Sequence, residues 1–96
     1  MSDPQVQHEE GESKGRYFIK HESGESELTY SVASATLKIA DHTEVAAGQE
    51  GNGIGLIMLR AFIDDARREG FKILPLCPFV NAQRRRHPEW ADVFSV

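Results

Sequence analysis

"GQEGNGIG", Gly48–Gly55, puts four glycines into eight positions, and the apolar run "LIMLRAFI", Leu56–Ile63, follows without a break. Ordering a glycine costs more backbone entropy than ordering any other residue. One glycine would serve a turn that merely starts a helix, so four need another cause. Glycines between a strand and a helix let the backbone approach a ligand closely. They also leave the helix's first amides free beside the positive end of its dipole, which makes an anion site, above all one for phosphate.

Downstream of the loop the pattern predicts a helix from Gly53 or Ile54 to about Glu69, apolar nearly all round in its first two turns and therefore buried on more than one side. Gly70 is a natural C-cap. "FKILPLC" then reads as a buried strand. Upstream, "RYFIKHE" (residues 16–22), "ELTYSVA" and "ATLKIADHTEV" read as strands, with a turn at "SGES" and small polar residues before the third. Three strands so closely spaced form an antiparallel meander. The third, expected to be the longest, runs into the glycine loop, and strand, helix and strand in this order make a parallel βαβ unit. Pro75 is out of place in a central strand because it lacks an N–H. It is tolerated if the neighbouring strand peels away there. "PFVNAQRRRHPEWADVF" reads as a short helix from Pro78, a break at Pro88 and a tail anchored by Trp90 and Phe94.

With 96 residues the chain suggests one domain with a thin core. A net charge of −4 argues against general nucleic-acid binding, with "RRRH", Arg84–His87, the local exception. The single cysteine, Cys77, permits no internal disulfide and no Cys-rich zinc site, and the scattered histidines lack ligand spacing. A polar, acidic N-terminus unlike a secretory signal and the absence of a membrane-length apolar run point to a cytoplasmic protein. Residues 1–14 are expected to be a disordered tail, and residues 15–96 the folded domain.

Two phosphate-loop readings fail on context. A Walker loop needs G-K-[ST] at the helix start, where this chain has Ile54 and Gly55. A dinucleotide fingerprint needs G-x-G-x-x-G in the first turn of a parallel sheet, whereas here G-x-G-x-G follows a meander. The combination of meander, "GNGIG" turn, buried helix and splayed strand instead resembles the acyl-CoA N-acyltransferase (GNAT) superfamily. "HTEV", "ARREGFKILPLCPFV" and "RRHPEWAD" are similar to its small, single-domain acetyltransferase-like branch, over roughly residues 16–94. The resemblance implies a GNAT-like α+β fold: a meander followed by a βαβ unit with splayed strands and a short C-terminal helix.

The resemblance also implies acetyl-CoA as acyl donor, with Val45, Glu50, Gly51, Asn52, Gly53, Ile54 and Gly55 along the coenzyme A, and Cys77, Asn81 and Arg84 further along it. Glu50 stands where the superfamily prefers Gln or Arg, and "NAQRRRH" lacks the tyrosine that serves larger members as general acid. Cys77, beside Pro78 at a helix start, is a candidate nucleophile or acyl relay, since a thiol at a helix N-terminus gains thiolate character. It reads equally as a small buried hydrophobe. His42 and Glu44 alternate onto one strand face, as a general base and its orienter or as a solvated surface, with Thr43 and Val45 on the other face. The implied function is N-acetyl transfer to an amine. The rival is a coenzyme A-binding or protein-interaction module with little turnover, because "SGES" leaves no room for the helices that wall off an acceptor in larger members. Neither the acceptor nor the oligomeric state is written in the sequence.

Overall fold

A computed structural model describes residues 5–96. Five strands, β1 (Gln7–Glu10), β2 (Lys14–His21), β3 (Gly24–Ser34), β4 (Leu37–Glu44) and β5 (Lys72–Pro75), form one sheet in sequence order. The first four pair antiparallel and β4–β5 is parallel. Helix α1 (Ile54–Glu69) makes the crossover, and helix α2 (Pro78–Arg86) and a 3-10 turn (Pro88–Val93) close the chain. The meander and the βαβ unit are therefore as expected. The longest strand is β3, not the strand before the loop, and the β2–β3 turn is Glu22–Ser23, with Gly24 already in the ladder at φ 139.

All the helical elements pack on one face of the sheet. Tyr17, Ile19, Leu28, Tyr30 and Ala40 point inward and join Met58, Leu59, Phe62 and Ile63 of α1 in a single core with Val80, Trp90, Val93 and Phe94. Removing an alternating apolar face from water drives this layering. The tail is anchored as expected: Trp90 and Phe94 are buried, and Ser95 donates its amide to the Ile73 carbonyl at 2.9 Å. The opposite face carries Arg16, Thr29, Asp41, His42 and Glu44, with Phe18 lying under the Arg16 guanidinium at 4.0 Å.

The expected tail of residues 1–14 needs correcting. Residues 1–4 lie outside the described residues, but Gln7–Glu10 is a strand paired with β2. Every residue of β1 is exposed, so no hydrophobic alternation marks it. Polar groups hold it instead. The His8 ring stacks on Tyr17 at 4.3 Å and bonds the Tyr30 hydroxyl at 2.5 Å. Glu10 accepts from the Tyr30 hydroxyl at 2.6 Å and from Lys38 Nζ at 2.7 Å. Lys38 is itself buried, its ammonium 4.2 Å from the centre of the Phe71 ring.

Pro75 also has a different explanation from the one expected. β4–β5 pairing reaches Pro75 itself, opposite Ala40. Lys72 sends its amide to Thr36, just before β4, and alternation turns the nitrogens of Ile73 and Pro75 the other way, toward the C-terminal tail. Proline therefore costs no bond to β4 and ends the tail's pairing. The separation of the strands begins one residue later. The Leu76 amide turns back to the Leu74 carbonyl, and Cys77 takes the Ala40 carbonyl at 2.9 Å. Leu76 is left 64% exposed.

Candidate functional site

The glycine loop is rooted on the sheet. Buried Ser26 accepts the Ala46 amide at 2.8 Å, and the Ser23 hydroxyl donates to the Ala47 carbonyl at 2.9 Å. Gly48, Gly51 and Gly53 then take φ of 84°, 85° and 73°. These are left-handed conformations that cost an L-residue roughly 1–2 kcal/mol. A Cβ at any of the three would meet nothing within 4 Å, so conformation and open space, not packing, select glycine there. Gly55 differs: its Cβ would stand 2.8 Å from the Phe79 ring. It serves the contact between α1 and α2.

Gly53 is the N-cap of α1 and no side chain caps that end. The first-turn amides therefore lack intrahelical acceptors, and no acidic residue stands in that turn. A cleft of about 540 Å³ opens over them. Of the residues expected along the coenzyme, Val45, Glu50, Gly51, Gly53, Ile54 and Gly55 line it. Asn52 is exposed and bonds Gln49 at 3.3 Å. Asn81 and Arg84 do not line the cleft; Arg84 Nε donates to Asn81 Oδ1 at 2.8 Å. The far wall is Phe79, Gln83, Arg86 and His87. Positions 79, 83 and 86 share one face of α2, a periodicity visible in the sequence once the helix start is known. Glu50 also differs from a bystander, for its carboxylate accepts the Gly48 amide at 2.9 Å and so puts a negative charge at the cleft mouth.

β4 continues to Glu44 after its pairing with β5 ends at Ala40, which leaves a gap leading toward the loop. A β-bulge sits where that gap starts. Tyr30 pairs with Ala40 and Thr29 with His42, so Asp41 has no partner of its own. His42 and Glu44 share the bare face as expected, both exposed, and Glu44 stands opposite Glu27. Cys77 lies on the other side. It is 2% exposed, with its Sγ 3.3 Å from Thr43 Oγ1, and it is the N-cap of α2 ahead of Pro78. The structure thus brings the loop residues together, and it separates His42 and Glu44 from Cys77 by the thickness of the sheet. His87 also stacks on Trp90 at 4.1 Å and bonds Glu89 at 3.0 Å, at the break before Pro88.

A family model described as GCN5-related N-acetyl-transferase matches residues 16–93. The chain belongs to this family. The solution structure of a GCN5-like protein from Staphylococcus aureus, a candidate N-acetyltransferase, superposes on this GNAT domain with a TM-score of 0.73 at 27% identity, covering 99% of this chain and 91% of that one. No curated protein matches the chain. The GNAT-like α+β fold and the acetyltransferase family are thereby established. Strand β1 precedes the span that the family model matches. Among the described residues, no helix is long and apolar enough to cross a membrane.

Proposed function

We propose that this GNAT domain binds acetyl-CoA and transfers its acetyl group directly to an amine. The observation that carries the reading is the register of β4 and β5. The strands stop pairing at Ala40–Pro75 while β4 runs on to Glu44 and into the glycine loop. A pantetheine arm fits such a gap, and the pyrophosphate fits on the amides at Gly51, Gly53, Ile54 and Gly55. Arg86, on the cleft wall, is the arginine placed to meet a phosphate, since a guanidinium fork matches phosphate oxygens.

The chemistry follows from the residues beside the gap. An ammonium acceptor loses a proton to the His42 imidazole, on the same strand face as Glu44. The freed nitrogen attacks the thioester carbonyl, forming the C–N bond. The tetrahedral intermediate then breaks its C–S bond and releases coenzyme A as thiolate, which takes up the second proton that the nitrogen loses in becoming an amide. Catalysis rests on position and on backbone amides near the carbonyl. A second reading, acyl relay through Cys77, is supported by its place at the apex of the gap, where its amide bonds Ala40. The burial of its thiol favours the direct route. The non-catalytic alternative draws on the bare sheet face, which no helix covers.

Calorimetry with coenzyme A, followed by acetyl-CoA turnover against a panel of amines and basic peptides, tests the reading. Coenzyme binding with amine-dependent turnover supports it. Binding without turnover on any amine leaves the binding module, and no binding removes both.

A further inference from the structure

A second cavity, of about 590 Å³, lies on the bare face of the sheet and reaches β4 at Asp41. One wall is the β1–β2 hairpin, through Glu9, Gly11 and Lys14, and the far wall is Asp41. β1 and the hairpin turn precede residue 16, where the family match begins. The bulge turns Asp41 and His42 to the same face, because a bulged residue breaks the two-residue alternation. Asp41 Oδ2 is held by the Ser31 hydroxyl at 2.6 Å. Among the described residues it pairs with no cation. Arg16, the other charge in the floor, is already shared by Glu9, Glu25 and Glu27 at 2.9–3.0 Å. Lys14, at the hairpin wall, is exposed to solvent, so Asp41 is the half-buried charge of this cavity with no counter-ion among the described residues.

We propose that this cavity is the acceptor pocket, that it takes a primary ammonium, and that Asp41 holds that ammonium. The inference rests on the acetyl-transfer reading above. Asp41 follows Ala40, where β4 and β5 part, so an ammonium on its carboxylate sits at the thioester end of the gap. His42 is the next residue and faces the same side. Glu9, Glu25, Glu27 and Glu44 also face this side, against Lys14, Arg16 and Lys20. An anionic acceptor is disfavoured there and a cationic one is drawn in. Asp41 acts on binding and orientation, and His42 on the proton.

The test uses the full chain with acetyl-CoA and two sources of the same ammonium, spermidine and a lysine-containing basic peptide. Asp41→Asn is expected to raise the KM for the amine about tenfold or more while kcat changes less than about threefold, as loss of a charge-assisted contact requires. Coenzyme A affinity and thermal stability should stay at wild-type values, and Asp41→Glu should recover part of the loss. A KM within about twofold of wild type in Asp41→Asn, with turnover intact, overturns the assignment. Whichever source shows the larger Asp41 dependence is the acceptor type. If coenzyme A does not bind at all, the acetyl-transfer reading fails on its own. The pocket is then judged by NMR: amide shifts at Gly15, Thr29 and Asp41 on adding either amine support it, and their absence with both overturns it.

Discussion

The Cys77 thiol lies 3.3 Å from the Thr43 hydroxyl on the helix side of β4, while His42, the preceding residue of the same strand, faces the bare side. One strand thus carries the neighbours of two different chemistries on opposite surfaces. On the proposed direct route an amine approaches the thioester from the His42 side. To meet Cys77, a thiol 2% exposed and engaged with Thr43 has to be uncovered first.

That asymmetry makes Cys77 inert in the folded protein. Its alkylation by iodoacetamide should run roughly a hundredfold slower than in the unfolded chain, since local opening must precede reaction. Incubation with acetyl-CoA alone should leave no acetyl adduct by intact mass spectrometry. Cys77→Ala should keep turnover and cost about 1 kcal/mol of stability, whereas His42→Ala should lower kcat/KM about a hundredfold. An adduct on Cys77 would make the relay the route.

The loop separates backbone conformation from charge. Gly53→Ala forces a side chain to φ 73 at the N-cap of α1, so it should cost about 1 kcal/mol in thermal unfolding and weaken coenzyme A. Glu50→Gln leaves the backbone unchanged but removes the carboxylate from the Gly48 amide at the cleft mouth. Coenzyme A should then bind about 3–10-fold tighter at low salt, with the gain shrinking as salt screens it. Equal affinities in calorimetry at low salt would place the pyrophosphate elsewhere.

Both tyrosines of the chain are held neutral. Burial raises the Tyr17 phenol far above its ordinary 10.0, with Asp65 adding to the shift. Burial, with Glu10 adding to it, does the same for Tyr30. A raised folded pKa stabilises the protein below the unfolded value and loses that contribution as pH rises through the folded one. Stability should therefore decline above pH 10. In an ultraviolet titration, phenolate absorbance should appear only with alkaline unfolding, in one cooperative step. A phenolate signal near pH 10 in the folded protein would contradict the packing of β1 over these rings.

At the acid end Glu10 is the sensitive group. Its hydrogen bond from Lys38, then that from Tyr30, holds its carboxyl below the ordinary 4.5. A lowered folded pKa contributes stability above 4.5 and loses it as pH falls through the folded value. The Glu10 side chain is 36% exposed, so the screened contribution is at most about 1 kcal/mol. Glu10→Gln should flatten the decline in stability below pH 4.5, measured by urea unfolding at a series of pH values, and should leave coenzyme A binding unchanged.

Much of this protein was legible in its residues. The meander, α1 with its Gly70 cap, the parallel return and the anchoring of Trp90 and Phe94 all follow from local periodicity and from residues that only certain backbones accept. The glycine loop was legible for the same reason, since positive φ at Gly48, Gly51 and Gly53 leaves a compositional mark. Features that depend on distant partners left none. β1 is polar and wholly exposed, and it exists because His8 and Glu10 meet Tyr17, Tyr30 and Lys38. The bulge at Asp41 depends on the register against β3, and the presence of Arg86 rather than Arg84 on the cleft wall depends on the rotation of α2, where Phe79 packs against Gly55. The sequence determined which segments form which elements and where the backbone takes positive φ, because those are properties of neighbouring residues. The tertiary structure alone decided which side chains share a surface, because that depends on the registers and rotations that packing imposes on segments far apart in the chain.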